Sequence, residues 1–297
     1  MILNAKYENK VTISSKYNMD KFSFSGHESF QCKTQWLKKG YDFVNEHNNF
    51  NDPEAVVKLG VGKNMVAAIR HWLRAFEIID TDQIITEIGH YIFNNDNGVD
   101  PYTEDLSTLW LLHYHLIKRN YASIYRMAFV DFHREKNEFT REHLQHYIKR
   151  RCKEEGWGCL YNENTAKKDV GVFLQNYVVP ENSVFDDFSV LLLQLDLIKK
   201  IDKSTYSFNY ISKQPVEPNI FLYAIEDYYG SISIGFDALM ELGLIFCMTN
   251  SELIEIIEQI CILYPNKVVF SDLAGIKELQ FKEKTDWRVV LNSYYRR

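Results

Sequence analysis

The fold is decided by residues 55–76, AVVKLGVGKNMVAAIRHWLRAF, where a short helix, a glycine turn and a longer helix follow one another. Gly60 and Gly62 allow the chain to turn tightly between the two helices. The second helix, Gly62–Phe76, has one apolar face with helical spacing. That face consists of Met65, Ile69, Trp72 and Phe76. A short helix over Pro53–Leu59 precedes it, so the stretch predicts a helix-turn-helix.

The residues after this stretch add a small ribbon. Ile78-Ile79 and Ile84-Ile85 flank a polar turn at Asp80–Gln83, which predicts a short strand pair. Thr86–Phe93 then predicts a closing helix. A helix, a turn, a second helix and a ribbon are the outline of a winged helix-turn-helix, a fold that usually binds DNA. We expect this unit to occupy residues 20–97.

The rest of the chain predicts further helical regions. Residues 1–19 form a polar leader, and 98–213 form a helical middle region in which 140–211 predicts a second winged unit. Residues 214–297 predict a helical C-terminal domain, with a strand and turn in Val268–Phe281 and a last helix from Asp286. No repeat recurs at a fixed period. The fold class is therefore mainly α with small β-wings (α+β), combining winged helix-turn-helix units with a helical C-terminal region.

The composition narrows the class of protein. The 297 residues carry a net charge of -6, which argues against a protein coated with positive charge but leaves room for a local basic face. Five widely spaced cysteines without a C-x-x-C pair predict reduced thiols and no zinc site of ordinary spacing. The N-terminus lacks a signal-peptide core, and no apolar stretch reaches membrane length. We therefore expect a cytoplasmic protein with no membrane contact.

The helix Gly62–Phe76 is the first candidate for DNA contact. From Lys58 to Arg74 the sequence contains no acidic residue. Asn64 and Arg70 carry donors suited to base edges, and Lys63 and Arg74 suit phosphates. Helical spacing places the candidate residues opposite the apolar stripe: Lys63, Asn64, Ala67, Arg70, His71 and Arg74. A solvated basic face or a protein-interaction face remains an alternative.

A second basic stretch lies at Thr140–Lys153, where Arg150 and Arg151 are candidate phosphate contacts and Glu142 is the only acid. Cations near the C-terminus of an ordinary solvated helix explain the pattern equally well.

His27 and Glu28 are the candidate catalytic residues. A histidine beside a carboxylate on a glycine loop can transfer protons or orient a water molecule. The alternative, which the residues themselves favour, is a loop that caps a neighbouring helix above packed phenylalanines. We find no P-loop, nuclease signature or histidine metal motif, so the metal ligands are unknown.

Several motifs resemble one bacterial domain-of-unknown-function family, which occurs in gene clusters for DNA phosphorothioation and includes SspB-like proteins. They are FSGHESF at 24–30 with Cys32, WLKKG at 36–40, LGVGKNMV at 59–66, DPY at 100–102 and TLWLLH at 108–113. The tail at Asp272–Leu279 and Tyr294-Tyr295 also resembles the family, so the resemblance covers nearly the whole chain. Gln31 stands where the family pattern has proline.

This resemblance implies a protein that binds double-stranded DNA and nicks one strand, so that sulfur can replace a non-bridging phosphate oxygen. It implies a sulfurtransferase partner of the phosphoadenosine-phosphosulfate reductase type, and nicking would use Mg²⁺ or Mn²⁺. It carries over no catalytic residue. The alternatives are a non-catalytic DNA-binding adaptor that recruits the sulfur-transfer enzyme, and a winged-helix protein-interaction module.

Overall fold

A computed structural model describes residues 22–156, 158, 161–179, 189–273 and 275–296. The leader predicted at 1–19 lies outside the described residues, as do Cys159 and Phe188. Helices dominate, and two small antiparallel sheets complete the structure, so the α+β class predicted from the sequence is confirmed.

The N-terminal region contains the predicted helix-turn-helix. Its helices are α1 (Thr34–Asn45), α2 (Ala55–Leu59), α3 (Lys63–Ala75) and α4 (Glu87–Phe93). Gly60 ends α2 with φ 62°, a left-handed conformation that glycine adopts without strain. The predicted strand pair is reduced to one backbone bridge between Ile79 and Ile85.

Helices α1 and α3 pack closely because α1 carries Gly40 at their contact. A Cβ atom there would lie 2.5 Å from Leu73 Cδ1 and 2.9 Å from Ile69 Cγ2. Leu73, Ile69 and Trp72 are fully buried, so the apolar stripe read from the sequence is the face that fixes α3 in the fold. The opposite face of α3 is thereby turned outward.

The middle region is built on the buried helix α5 (Leu106–Arg119), in which every residue from Ser107 to Lys118 is buried. The elements that follow are α6 (Ser123–Arg126), a π-helical segment (Met127–Phe132), α7 (His133–Glu135), β1 (Glu138–Thr140), α8 (Arg141–Glu154), α9 (Glu163–Tyr177), β2 (Ile198–Lys200) and β3 (Thr205–Phe208). The three strands form an antiparallel sheet in the order β1-β3-β2, with Phe139 opposite Tyr206 and Lys199 opposite Ser207.

The C-terminal region contains the predicted helices and the predicted strand and turn, together with one short strand that the sequence did not predict. Its elements are α10 (Pro218–Tyr229), β4 (Ser233–Gly235), α11 (Phe236–Ile245), α12 (Asn250–Leu263), β5 (Val268–Leu273), β6 (Ile276–Phe281) and α13 (Trp287–Tyr295). The predicted strand and turn at Val268–Phe281 is a β5–β6 hairpin, and Asp286 caps α13 as expected. Strand β4, which has only three residues, is too short to show a period in the sequence.

The middle and C-terminal regions repeat one arrangement. Each has a strand, two helices and two further strands, and in each sheet the last strand lies between the other two. The sequence shows no repeat, because apolar spacing rather than residue identity specifies such a unit.

Two further expectations concern the class of protein. Cys32, Cys152, Cys247 and Cys261 are all free thiols, as predicted. Within the described ranges, no helix combines the length and the apolar character that a membrane crossing requires.

Candidate nucleic-acid interface

The outward face of α3 is open to solvent. Lys63 and Asn64 at its first turn are exposed, and Ala67 and Arg70 are half-buried in the following turns. One guanidinium nitrogen of Arg70 donates to Asn51 Oδ1 at 2.7 Å, which orients the side chain without neutralising its charge. Lys63 and Arg70 form no ion pair within the described part of the chain. The face therefore carries two cations that an anionic ligand can reach.

Arg74, predicted to contact phosphate, holds the turn after α3. It donates to the Thr81 carbonyl oxygen at 2.8 Å, and the Asp80 carboxylate accepts the backbone N–H groups of Asp82 and Ile84. The side chain is half-buried. Arg74 thus shapes the small wing-like turn beside the contact face.

His71 is buried, with only 5% of its surface exposed, so the prediction that it lies on the outward face is wrong. Helical spacing does place it on the side of Asn64 and Ala67, at i−7 and i−4. The loop Ser25–Ser29 covers His71 itself. A Cβ atom at Gly26 would lie 2.7 Å from His71 Nδ1, so only glycine allows this approach. The loop therefore forms one border of the contact face.

The covering loop has an unusual backbone. Four of its five residues have φ in the left-handed region: Ser25 (72°), Gly26 (95°), Glu28 (50°) and Ser29 (65°). Such conformations cost non-glycine residues about 1 kcal/mol or more each, and they persist where the surroundings determine them. The loop is thus held in place by specific contacts.

The main contact is a buried pair between His27 and Asp169 of α9. His27 Nε2 lies 2.9 Å from Asp169 Oδ1, and the Ser25 N–H donates to Asp169 Oδ2 at 2.9 Å. The Ser29 N–H donates to His27 Nδ1 at 3.1 Å. Because Nδ1 accepts, the ring proton lies on Nε2 and is donated to Asp169. Both ring nitrogens are therefore occupied.

This geometry separates the two candidate catalytic residues. His27 is buried and holds the loop to α9 through Asp169, in the middle of that helix, so the loop packs on a neighbouring helix but does not cap its end. Glu28 is exposed beside it, on the loop that borders α3. Of the pair, Glu28 alone can meet a bound ligand in this conformation.

Two further bonds make the N-terminal segment a bridge between α3 and α9. Trp72 of α3 donates from Nε1 to the Phe30 carbonyl oxygen at 3.1 Å. The Cys32 N–H donates to Oδ1 of the buried Asn176 of α9 at 3.0 Å. Helices α3 and α9, one from each of the first two regions, therefore share one bracing segment.

Two arginines of the second predicted basic patch pair with nearby acids. Arg150 contacts both Glu135 oxygens, at 2.6 and 2.7 Å, and lies 3.7 Å from Glu154. Arg151 contacts Glu155 at 3.0 Å and Glu154 at 3.5 Å. The acids lie just outside the stretch 140–153 from which the patch was predicted. A phosphate that bound these arginines would compete with the paired acids.

Two histidines of the middle region have structural roles. The two ring nitrogens of His113 meet the Tyr177 hydroxyl at 2.9 Å and the Ile245 carbonyl at 2.8 Å. His143 belongs to the capping box of α8. Among the described residues, no three His, Cys, Asp or Glu side chains are grouped closely enough to hold a metal ion.

Comparison with known proteins identifies the family of this chain. The family described as a protein of unknown function, DUF4007, matches residues 24–295. The chain belongs to this family. No curated protein matches it.

Two solved structures are similar over nearly the whole chain. A magnesium ion-bound SspB crystal structure is 26% identical with a TM-score of 0.80, and an SspB crystal structure is 25% identical with a TM-score of 0.79. Each comparison covers 92% of this chain and 88% of the other. The predicted resemblance to SspB-like proteins is confirmed.

The burial of His71 predicts a pH dependence of stability. Burial, together with His27 and Arg74, lowers the pKa of His71 from 6.5 to about 3. Between these values the unfolded chain binds a proton at His71 and the folded chain does not. The free energy of unfolding therefore falls as the pH drops below 6.5, by up to about 1.4 kcal/mol per pH unit for this group.

Urea unfolding from pH 7 to about pH 5 measures this slope, and His71→Gln should reduce it by close to one proton. Burial also lowers the pKa of His113 and His133, each to about 4, but both remain in the variant and cancel in the comparison. An equal slope in the two proteins would show that His71 titrates normally in the fold.

Proposed function

We propose that this protein binds double-stranded DNA through the outward face of α3, as a component of a DNA phosphorothioation system used in phage defence. The observation that carries the proposal is the exposed, acid-free start of a helix-turn-helix in a chain of net charge -6. The proposed contact face consists of Lys63, Asn64, Ala67 and Arg70. Asn64 and Arg70 suit base edges, and Lys63 suits phosphate.

We also propose that each of the three regions is a winged helix unit. The order strand–helix–helix–strand–strand, with the last strand in the centre, agrees with that fold in the middle and C-terminal regions. The N-terminal region has the helices and one bridge in place of a wing. In such units the second helix of the pair usually lies in the major groove, and here that helix is α3.

Similarity to SspB supports the phosphorothioation context. In this context the proposed partners are double-stranded DNA and a sulfurtransferase of the phosphoadenosine-phosphosulfate reductase type. The bracing of α3 to α9 by His27 would keep the contact face rigid. Bacterial DNA lies in the cytoplasm, which is therefore the proposed location.

Nicking of one strand is the proposed activity, with Mg²⁺ or Mn²⁺ as the metal. The magnesium ion in a related SspB structure favours it. Mg²⁺ is often held by one or two carboxylates together with substrate phosphates, so a site need not be complete without DNA. Glu28, exposed on the loop beside α3, is the carboxylate we assign to it. Under the adaptor alternative the chain would bind DNA without cutting it.

Neutralising the contact face should weaken DNA binding. We expect Lys63→Gln combined with Arg70→Gln to weaken binding of a duplex by at least about tenfold at 100 mM salt and to lower the slope of log K against log salt by about two. Fluorescence anisotropy over a salt series measures both quantities.

Arg150→Gln combined with Lys153→Gln is the matched control, because it removes the same charge from α8. This pair should change affinity by less than about threefold, since Arg150 is already paired with glutamates. Equal losses from the two pairs would mean that net charge, rather than the α3 face, drives binding.

The nicking activity predicts open-circle product from supercoiled plasmid with the full chain and Mg²⁺ or Mn²⁺. Glu28→Gln should lower the rate by about 100-fold while leaving duplex affinity intact, since it removes a metal ligand rather than a DNA contact. Ser29→Ala is a nearby control on the same loop and should cut normally. DNA binding without any product, in either metal and with the sulfurtransferase partner present, would support the adaptor instead.

A further inference from the structure

The charge of the C-terminal region is the reverse of that of α3. Residues 214–266 contain eight acidic residues and no lysine, arginine or histidine. Helix α12 holds three of the acids, Glu252, Glu255 and Glu258, in the place that α9 occupies in the middle region. A helix with this charge repels DNA phosphates. DNA is therefore a poor ligand for α12.

A groove runs between α12 and the segment 213–218, with a volume of about 520 Å³. Apolar side chains line it, among them Val216, Met248 and Ile256, and Glu217 and Glu255 add acidic groups. The apolar surface continues to the end of α12, where Ile262 also lines the groove and is 76% exposed. Contact with an apolar residue of a partner would remove this exposed side chain from water.

The acids at this groove are largely uncompensated. Lys213, whose side chain is only 4% exposed, pairs with Glu252 and cancels that charge. Glu217 and Glu255, which line the groove, and the exposed Glu258, which lies three residues after Glu255 on α12 outside the lining, form no ion pair with any residue in the ranges that the structure describes. A ligand that brings cations to this rim would gain attraction that the protein itself does not use.

From this combination we infer that the groove docks a basic, amphipathic helical segment of a protein partner. The apolar floor accepts leucine- or isoleucine-type anchors spaced along one helix face, and the acidic rim selects lysine or arginine beside them. Complementary charge is what distinguishes this occupant from nucleic acid. The inference does not depend on DNA binding by α3.

The test uses the full chain and a fluorescent amphipathic peptide of about 20 residues, with leucines on one face and lysines on the other. Anisotropy should show binding to the unaltered protein and none for a peptide with glutamate in place of lysine. Glu255→Lys combined with Glu258→Lys should weaken binding by at least about tenfold. Ile262→Asn should weaken it by about threefold through the lost apolar contact.

Asp96→Lys combined with Glu138→Lys is the matched control, because both residues are exposed and lie outside α12 and the groove. This pair should change peptide affinity by less than about twofold. Duplex DNA affinity should not fall in the α12 variants, which separates this inference from the proposed function. Thermal melting confirms that each variant folds.

Three results would overturn the inference. One is the absence of peptide binding to the unaltered protein, and another is an equal loss in the α12 and control pairs. The third is a dimer in sedimentation that the α12 substitutions dissociate, which would assign the groove to a second copy of this chain.

Discussion

The buried pair of His27 and Asp169 is the contact on which the candidate interface depends. Asp169 accepts the His27 ring and the Ser25 N–H, so one carboxylate fixes both the side chain and the backbone of the loop. The loop in turn covers His71 and borders α3. Removing either partner would leave a buried polar group without its hydrogen bond and would lower the free energy of unfolding by several kcal/mol. The pair thus fixes the strained loop in place at one border of the α3 face.

This bracing has a consequence for the contact face. Helix α3 is packed against α1 from below and bounded by the loop on one side and by the Arg74-held turn beyond its end. A face held in this way loses little conformational entropy when it binds, which favours affinity and fixed orientation. The acidic groove of α12 lies in a different unit. Under the two proposals, opposite charges direct nucleic acid to α3 and a basic protein segment to α12.

Local patterns predicted much of the fold. The helices around Gly60 and Gly62, the hairpin after Val268 and the cap at Asp286 all follow from spacing and capping chemistry within a few residues. Contacts between distant segments could not be predicted. Helical spacing predicted that His71 faces outward. The loop that buries it belongs to an earlier part of the chain, so the spacing within α3 could not reveal its burial.

The same limit applies to charge and to catalysis. The sequence predicted Arg150 as a phosphate contact and could not show that Glu135 of the preceding helix pairs with it. His27 was chosen as a catalytic residue for its neighbour Glu28, whereas its actual partner is Asp169 of α9. An aspartate within a helical pattern gives no sign that it will be buried. The pairing therefore becomes visible only in three dimensions.

Hydrogen–deuterium exchange of the full chain, with and without duplex DNA, tests the central claim most directly. The account predicts slower exchange on DNA binding at the α2–α3 turn and in the first turn of α3, and unchanged exchange in α12. Slower exchange confined to α8 or α12, with no change from Gly60 to Ala67, would contradict it.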